Sequence, residues 1–291
     1  MADHGVHTDS YSPLEIARKV EQYGVTKGNL PFGKMAGLAI MAGAFVSMGC
    51  IFYETVTAAF PGSYGMMMLI GGLCFNLGLM MCVIAGAELF TGNSLLSVAA
   101  ASKKITIGQM FRNWAVVWTF NFVGSLIMVA LLYYAQAWSA SGNAVGARAL
   151  YVGASKASLA PGLVFLRGVI ANVMVCLASW MAYSGRTITD KFFGMFLPIT
   201  AFVAGGYEHS IANMFFIPFA MLLKGNAAVA SMPGVPVEKL HYLTPGYLAQ
   251  NLIFSTAGNL VGGAVLVGLV YWWIYLRSEN AATAGKSSKA A

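Results

Sequence analysis

Glu88-Leu89-Phe90-Thr91-Gly92-Asn93 and Glu208-His209-Ser210-Ile211-Ala212-Asn213 interrupt two otherwise apolar stretches of the chain, and they match: a Glu, four residues, an Asn. A charged side chain at membrane depth costs at least ~2.5–3.5 kcal/mol on insertion scales, so two such intrusions imply a function that offsets the cost. Paired interruptions in corresponding parts of two halves point to a transport site built from broken helices. The chain therefore reads as a channel or carrier whose substrate passes both breaks.

The composition around the breaks agrees. Of the 291 residues, 58% are hydrophobic and 9% charged, against about 25% charged in soluble domains, and the mean hydropathy is +0.70. Several apolar runs of about 20 residues make this an all-α polytopic membrane protein. The net charge of +7 comes from basic residues placed between apolar runs, where they set orientation. No basic-aromatic surface motif accompanies them, so no nucleic-acid partner is expected. Cys50, Cys74, Cys82 and Cys176 lie inside apolar runs without metal spacing and read as small buried hydrophobes. There is no Walker loop, no paired-His or Cys metal spacing and no nucleophile-base pair. The reading is of a non-enzyme with no catalytic residues, cofactor or metal.

Six spans are expected, at 35–53, 64–101 (broken), 113–135, 162–183, 192–223 (broken) and 249–274. The second and fifth exceed one crossing, as a half-helix, a turn and a second half-helix would; Gly92 and Gly205-Gly206 are expected to supply the permissive backbone. With the N-terminus inside, twelve Lys and Arg residues fall in the cytoplasm and five outside (Arg148, Lys156, Arg167, Lys224 and Lys239), so both termini are read as cytoplasmic. Asn121-Phe122-Val123-Gly124 in the third span corresponds to Asn259-Leu260-Val261-Gly262 in the sixth. Three spans per half makes the two copies insert oppositely, an inverted 3+3 repeat that brings the breaks together near the midplane. Residues 1–280 are one transmembrane channel domain. Within it, residues 1–34 form a cytoplasmic segment whose interfacial helix opens with the capping box Ser12-Pro13-Leu14-Glu15 and runs to about Tyr23. That helix either gates the pore mouth or only anchors the chain. Residues 281–291 are expected to be a disordered cytoplasmic tail.

Each half-helix starting at the midplane would turn unpaired N–H groups and about half a positive charge toward the pore, with Ser94 and Ser210 as candidate caps. Two opposed N-termini favour a small anion; the rival reading is that Glu88 and Glu208 cancel that field or mark a cation or proton path. His209 is the one histidine in the apolar body. It is either a structural hydrogen-bonder or, within a break, a donor of a hydrogen bond or proton to a weak-acid anion. Thr91, in the other break, is placed to orient His209 or the substrate. Phe75, Leu79 and Phe202 on one side, and Leu89, Phe90 and Val175 on the other, are either ordinary packing residues or two apolar constrictions around a polar midplane site.

Four runs carry a resemblance to the formate/nitrite transporter family, and within it to bacterial formate channels. They are Ala87-Glu88-Leu89-Phe90-Thr91, Tyr183-Ser184-Gly185-Arg186, Glu208-His209-Ser210-Ile211-Ala212-Asn213-Met214 and Asn259-Leu260-Val261-Gly262-Gly263. The resemblance implies an aquaporin-like fold and homopentamers in a bacterial inner membrane, with a pore in each protomer. It implies His209, Thr91 and Asn172 as pore residues, constrictions at Phe75, Leu79 and Phe202 outside and Leu89, Phe90 and Val175 inside, a Lys156–Glu208 pair, and Lys27 toward the cytoplasmic entrance. The expected partners are formate or a similar small monovalent anion, membrane lipid and further copies of the chain, with proton coupling left open. Nitrite or hydrosulfide is the rival within the family. A neutral-solute pore is disfavoured by the absence of Asn-Pro-Ala repeats, and an ammonium channel by the lack of a second intramembrane histidine.

Overall fold

The computed structural model describes residues 9–279, and every regular element among them is helical. The first set is α1 (Pro13–Gly28), α2 (Phe32–Thr57), α3 (Tyr64–Met80), the short α4 (Phe90–Asn93) and α5 (Leu96–Ala101), and α6 (Ile107–Tyr134). The second is α7 (Ala144–Ala157), α8 (Pro161–Ser184), α9 (Ile188–Ala204), α10 (Ser210–Leu223), the single turn α11 (Ala227–Ala230), α12 (Pro245–Leu260) and α13 (Val270–Tyr275). α3 continues through a π-helical turn at Met81–Gly86, and α12 joins α13 through another at Val261–Leu269. Among the described residues five helices are long and apolar enough to cross a membrane, namely Phe32–Thr57, Tyr64–Gly86, Ile107–Tyr134, Pro161–Ser184 and Pro245–Tyr275, and Ser210–Leu223 is a shorter apolar helix. The expected tail at 281–291 lies outside the described residues, as do residues 1–8.

α1 begins where its sequence says it should. Ser12 and Glu15 form the reciprocal capping box, with Pro13 in the first turn. It does not stop at Tyr23, however, but runs to Gly28. Gly24 has low helix propensity, which is why the sequence reading ends there. Its smallness is what seats the helix, because a Cβ at Gly24 would lie 2.7 Å from Cβ of Ala99 on α5. Ile16, Ala17 and Val20 are buried on the same side. The added turn carries Lys27, which matters below.

Two close helix crossings hold the two sets. α2 meets α6 where a Cβ on Gly43 would come within 2.0 Å of the Asn121 carbonyl oxygen, and one on Gly124 within 2.0 Å of the Ile40 carbonyl oxygen. α8 meets α12 in the same manner: Gly258 lies against the Phe165 carbonyl and Gly262 against the Val169 carbonyl, each at 2.2 Å from an added Cβ. In lipid, such backbone approach replaces the hydrophobic effect as the source of helix association. α10 is mostly apolar and is buried on every side from Ser210 to Ala220, with Ile211, Met214, Phe215, Ile217 and Phe219 fully covered. The outward faces of α6, α9 and α12 expose Leu126, Ile127, Leu131, Phe193, Leu197 and Ile253.

Both polar stretches coincide with departures from helix. After the π-helical turn the chain is extended at Ala87 and Leu89 before α4, and after α9 it is extended at His209 before α10. The residues that permit the turns are Gly86 (φ +90°) and Gly206 (φ +66°). This corrects the expectation for the first break: Gly92 is helical, inside α4, because the chain has to turn before Glu88, whose N–H bonds the Leu38 carbonyl. Each glycine precedes its glutamate by two residues. The helices after the breaks differ: α10 has 14 residues, whereas the first break is followed by α4 of 4 and α5 of 6.

Candidate transport site

His209 and Thr91, one from each break, meet side chain to side chain, with Nε2 2.8 Å from Oγ1. Both are buried. The Ala212 N–H donates to His209 Nδ1 at 3.0 Å, so His209 itself caps α10. A ring that accepts at Nδ1 carries its proton at Nε2 and donates it to Thr91 Oγ1. The Thr91 hydroxyl hydrogen is then left to point toward another acceptor.

The half-helix starts differ from the expectation of unpaired N–H groups capped by serines. Phe90 N–H donates to Asn121 Oδ1 at 3.0 Å, and Ser210 N–H to Asn259 Oδ1 at 2.9 Å. The hydroxyl of Ser210 is buried without a partner and caps nothing, and Ser94 accepts from Asn172 Nδ2 at 3.1 Å. Each asparagine also donates through Nδ2 to the carbonyl of the break glutamate, at 2.9 Å to Glu88 and 2.9 Å to Glu208, and to Ala39 or Gly168 of a neighbouring helix at 2.8 Å. One amide therefore satisfies two backbone groups that a broken helix leaves open and anchors them to a carbonyl of the neighbouring α2 or α8. The sequence reading had Asn121 and Asn259 only as marks of the repeat.

The glutamates sit in two matched clusters. On the α1 side, Lys27 Nζ lies 2.8 Å from Glu88 Oε1, Asn93 Nδ2 donates to Glu88 Oε2 at 2.6 Å and to Asn113 Oδ1 at 2.9 Å, and Asn113 returns to the Lys27 carbonyl at 3.2 Å. On the far side, Lys156 Nζ lies 2.8 Å from Glu208 Oε1, Asn213 Nδ2 donates to Glu208 Oε2 at 2.7 Å and to Asn251 Oδ1 at 2.7 Å, and Asn251 returns to the Lys156 carbonyl at 3.1 Å. Lys27 comes from α1 and Lys156 from α7. Each break carboxylate is thus buried and paired with a lysine as well as hydrogen-bonded, the condition under which a charge tolerates a low-dielectric setting. Asn113 and Asn251 escaped the sequence reading, although each lies eight residues before a repeat asparagine.

Two cavities border the breaks, one lined by residues of the first break and the other by residues of the second. The one on the α1 side has a volume of about 470 Å³ and is lined by Lys27, Leu79, Glu88, Leu89, Asn93 and Tyr183 among others. The far one, about 60 Å³, is lined by Tyr53, Phe75, Lys156, Phe202, His209 and Phe216 among others. The rings of Phe75 and Phe202 meet edge-on at 5.7 Å, and Phe202 lies 5.7 Å from the His209 ring. Leu79 lines the cavity with Leu89, on the α1 side, and not with Phe75 and Phe202; one helical turn from Phe75 carries it past the narrow point. Phe90 lines a groove between α6 and α12 beside Trp114 and Trp118. Val175 is buried in the core. Asn172, buried, donates to the carbonyls of Thr91 and Asn259 at 3.2 and 2.7 Å, tying one break to α12.

The formate/nitrite transporter family model matches residues 14–273. The chain is similar to the formate channel FocA of Escherichia coli K12, 41% identical over 277 residues that cover 94% of this chain and 97% of the relative. It is 38% identical to the formate channel FocA of Haemophilus influenzae over 89% of this chain and 92% of that protein. Among solved structures, it is similar to a pentameric formate channel with formate bound, with a TM-score of 0.78 and 40% identity over 84% of this chain and 98% of the other. It is also similar to an ion channel of the same family, with a TM-score of 0.74 and 28% identity over 89% of this chain and 98% of the other.

Proposed function

The chain belongs to the formate/nitrite transporter family, and from that premise we propose that it is a bacterial inner-membrane channel for formate and similar small monovalent anions. It assembles as a homopentamer with a pore in each protomer, as the similarity to a pentameric formate channel supports. Each protomer is an inverted 3+3 repeat of six spans with the second and fifth broken, and both termini are cytoplasmic, so the α1 side is the inner side. The observation that carries the reading is the matched pair of Lys–Glu–Asn–Asn clusters, one at each break, with a cavity beside each and the His209–Thr91 hydrogen bond joining the breaks.

The chemistry follows from that arrangement. A bare anion at the midplane costs several kcal/mol. Lys27 and Lys156 lower that cost at the two approaches, while their glutamates keep either from trapping the ion; conduction needs binding that is both favourable and easily left. At the narrow point, Phe75 and Phe202 strip water on one side and Leu79 and Leu89 on the other, and the Thr91 hydroxyl, oriented by His209, donates to the passing carboxylate. Phe90, Val175 and Asn172 hold the breaks in register. The two lysines disfavour ammonium. Nitrite and hydrosulfide remain the rivals within the family.

The test is flux through proteoliposomes across pH with labelled formate, nitrite, hydrosulfide, chloride and ammonium. Formate is expected to pass fastest and ammonium not at all; ammonium passing as fast as formate would sink the reading. Proton coupling is the second reading, favoured by an imidazole standing at the barrier. His209→Asn keeps an acceptor for Ala212 N–H and removes the titratable group. Loss of the pH dependence of formate flux would assign a transferred proton to the ring. An unchanged profile would assign it hydrogen bonding alone.

A further inference from the structure

Beyond the pore, Arg148 is held by hydroxyls and aromatic rings and not by a carboxylate. Arg148, on α7, donates from Nε to Thr57 Oγ1 at 3.0 Å and from Nη2 to the Tyr53 hydroxyl at 2.8 Å. Its guanidinium carbon stands 5.5 Å from the Tyr53 ring centroid and 5.2 Å from that of Tyr151. Among the described residues no ion pair involves it. Two of its five N–H donors are thereby used. It lines a cavity of about 470 Å³ together with Thr57, Phe60, Met67, Tyr151 and Pro233, and no acidic residue lines that cavity.

Glu54 supplies a second, independent observation. It lies one residue beyond Tyr53 on α2, is fully buried, and neither carboxyl oxygen accepts a hydrogen bond. Arg148 is the charged group that acts on it electrostatically, yet the guanidinium is turned to Tyr53 and Thr57 instead. An arginine fixed by two hydroxyls and two aromatic rings, with its three remaining N–H donors beside a cavity, is preorganised for a carboxylate. Tyr53 also lines the far-side pore cavity with Phe75, Phe202 and His209, so the hydroxyl that accepts from Arg148 belongs to a residue of the pore wall.

We propose that Arg148 and its cavity form a second anion site, on the outer face, that collects small carboxylates and feeds them past Tyr53 into the pore. The proposal rests on the anion-channel reading above. Its site lies outside the two lysine clusters, and its chemistry is a bidentate guanidinium–carboxylate contact in a cavity with apolar walls. A fixed cation at a pore mouth raises the local concentration of the permeant anion, an effect that salt suppresses.

The test uses right-side-out membrane vesicles and radiolabelled formate, so that only the outer face meets the label. Arg148→Gln is expected to raise the half-saturating external concentration by roughly three- to tenfold at low ionic strength, with the half-saturating concentration for efflux from loaded vesicles unchanged. Arg148→Lys should recover most of the loss, and high salt should bring wild type to the level of Arg148→Gln. Glu54→Gln removes the neighbouring carboxyl at constant shape and should not raise the external value. An Arg148→Gln profile equal to wild type, or one shifted equally from both faces and not recovered by lysine, would overturn the proposal. So would an equal rise in Glu54→Gln, which would make the two residues a structural pair. Wild-type vesicles that carry no formate would instead refute the channel reading itself.

Discussion

Asn121 and Asn259 each hold one backbone N–H and one carbonyl of a break, groups otherwise buried without a partner, and bond a carbonyl of a neighbouring helix as well. Leaving a buried polar group unsatisfied costs about 1–3 kcal/mol apiece, so Asn259→Ala should lower the thermal midpoint of the detergent-solubilised protein markedly. Asn259→Asp keeps the acceptor for Ser210 N–H but sets a carboxylate against the Glu208 and Gly168 carbonyls. It should therefore be at least as damaging as alanine. A variant with Asp that outperforms Ala would show that the two Nδ2 donations do not matter. Thr91 makes the complementary case in function. Thr91→Val is close in shape and leaves His209 Nε2–H without its partner, whereas Thr91→Ser keeps the hydroxyl. Formate flux in proteoliposomes should fall about tenfold or more in the first, the scale of one lost buried hydrogen bond, and stay near wild type in the second. Equal flux in both would remove the hydroxyl from the mechanism. The sequence made His209, Thr91, Glu88 and Glu208 legible because polar groups in apolar runs are costly. It did not reveal that His209 is the cap and the serines are not, since which acceptor reaches a given N–H depends on how α6 and α12 cross the breaks.

Elements in this fold are placed by glycines acting in two distinct ways. At Gly43, Gly124, Gly258 and Gly262 any side chain would collide with backbone carbonyl oxygen. At Gly86 and Gly206 there is open space for a Cβ but a positive φ that L-residues resist. Gly86→Ala should accordingly cost ~1–3 kcal/mol through strain. Gly92→Ala should be neutral or mildly stabilising, because Gly92 is helical and an added Cβ would meet only Ser179 Oγ at 4.0 Å. Thermal midpoints of the two variants decide the matter, and the reverse order would mean that the turn is made elsewhere. Both glycines were visible in the sequence. Which one turns the chain was not, because φ is set by the need of Glu88 N–H to reach Leu38 and not by local composition. The same holds at the end of α1, where the helix expected to end at about Tyr23 continues to Gly28 because Gly24 packs against Ala99.

At the scale of the whole molecule, the positive-inside count and the pore-per-protomer reading make separate predictions. With α1 inside, an impermeant thiol reagent added outside should label Ser155→Cys on α7 and spare Ser102→Cys after α5; the opposite pattern would invert the assignment. Of the native cysteines, Cys50, Cys82 and Cys176 are buried, and the partly exposed Cys74 is replaced by serine in both variants. Assembly is harder to read from one chain, because lipid and a neighbouring protomer both suit an apolar exterior such as that of Leu126, Ile127, Leu131 and Ile253. On the proposed reading the path of the ion lies within one protomer, since both lysine clusters and the His209–Thr91 contact close within a single chain. Subunits should then conduct independently inside a closed ring. If wild-type and Thr91→Val subunits are co-expressed in known ratios and the mixed assemblies reconstituted, formate flux should fall in proportion to the wild-type fraction. A path along the symmetry axis that needed every Thr91 would instead make flux fall as the fifth power of that fraction. Mass measurement in detergent fixes the subunit number in the same preparation, and a species no larger than a dimer would count against the ring whatever the flux.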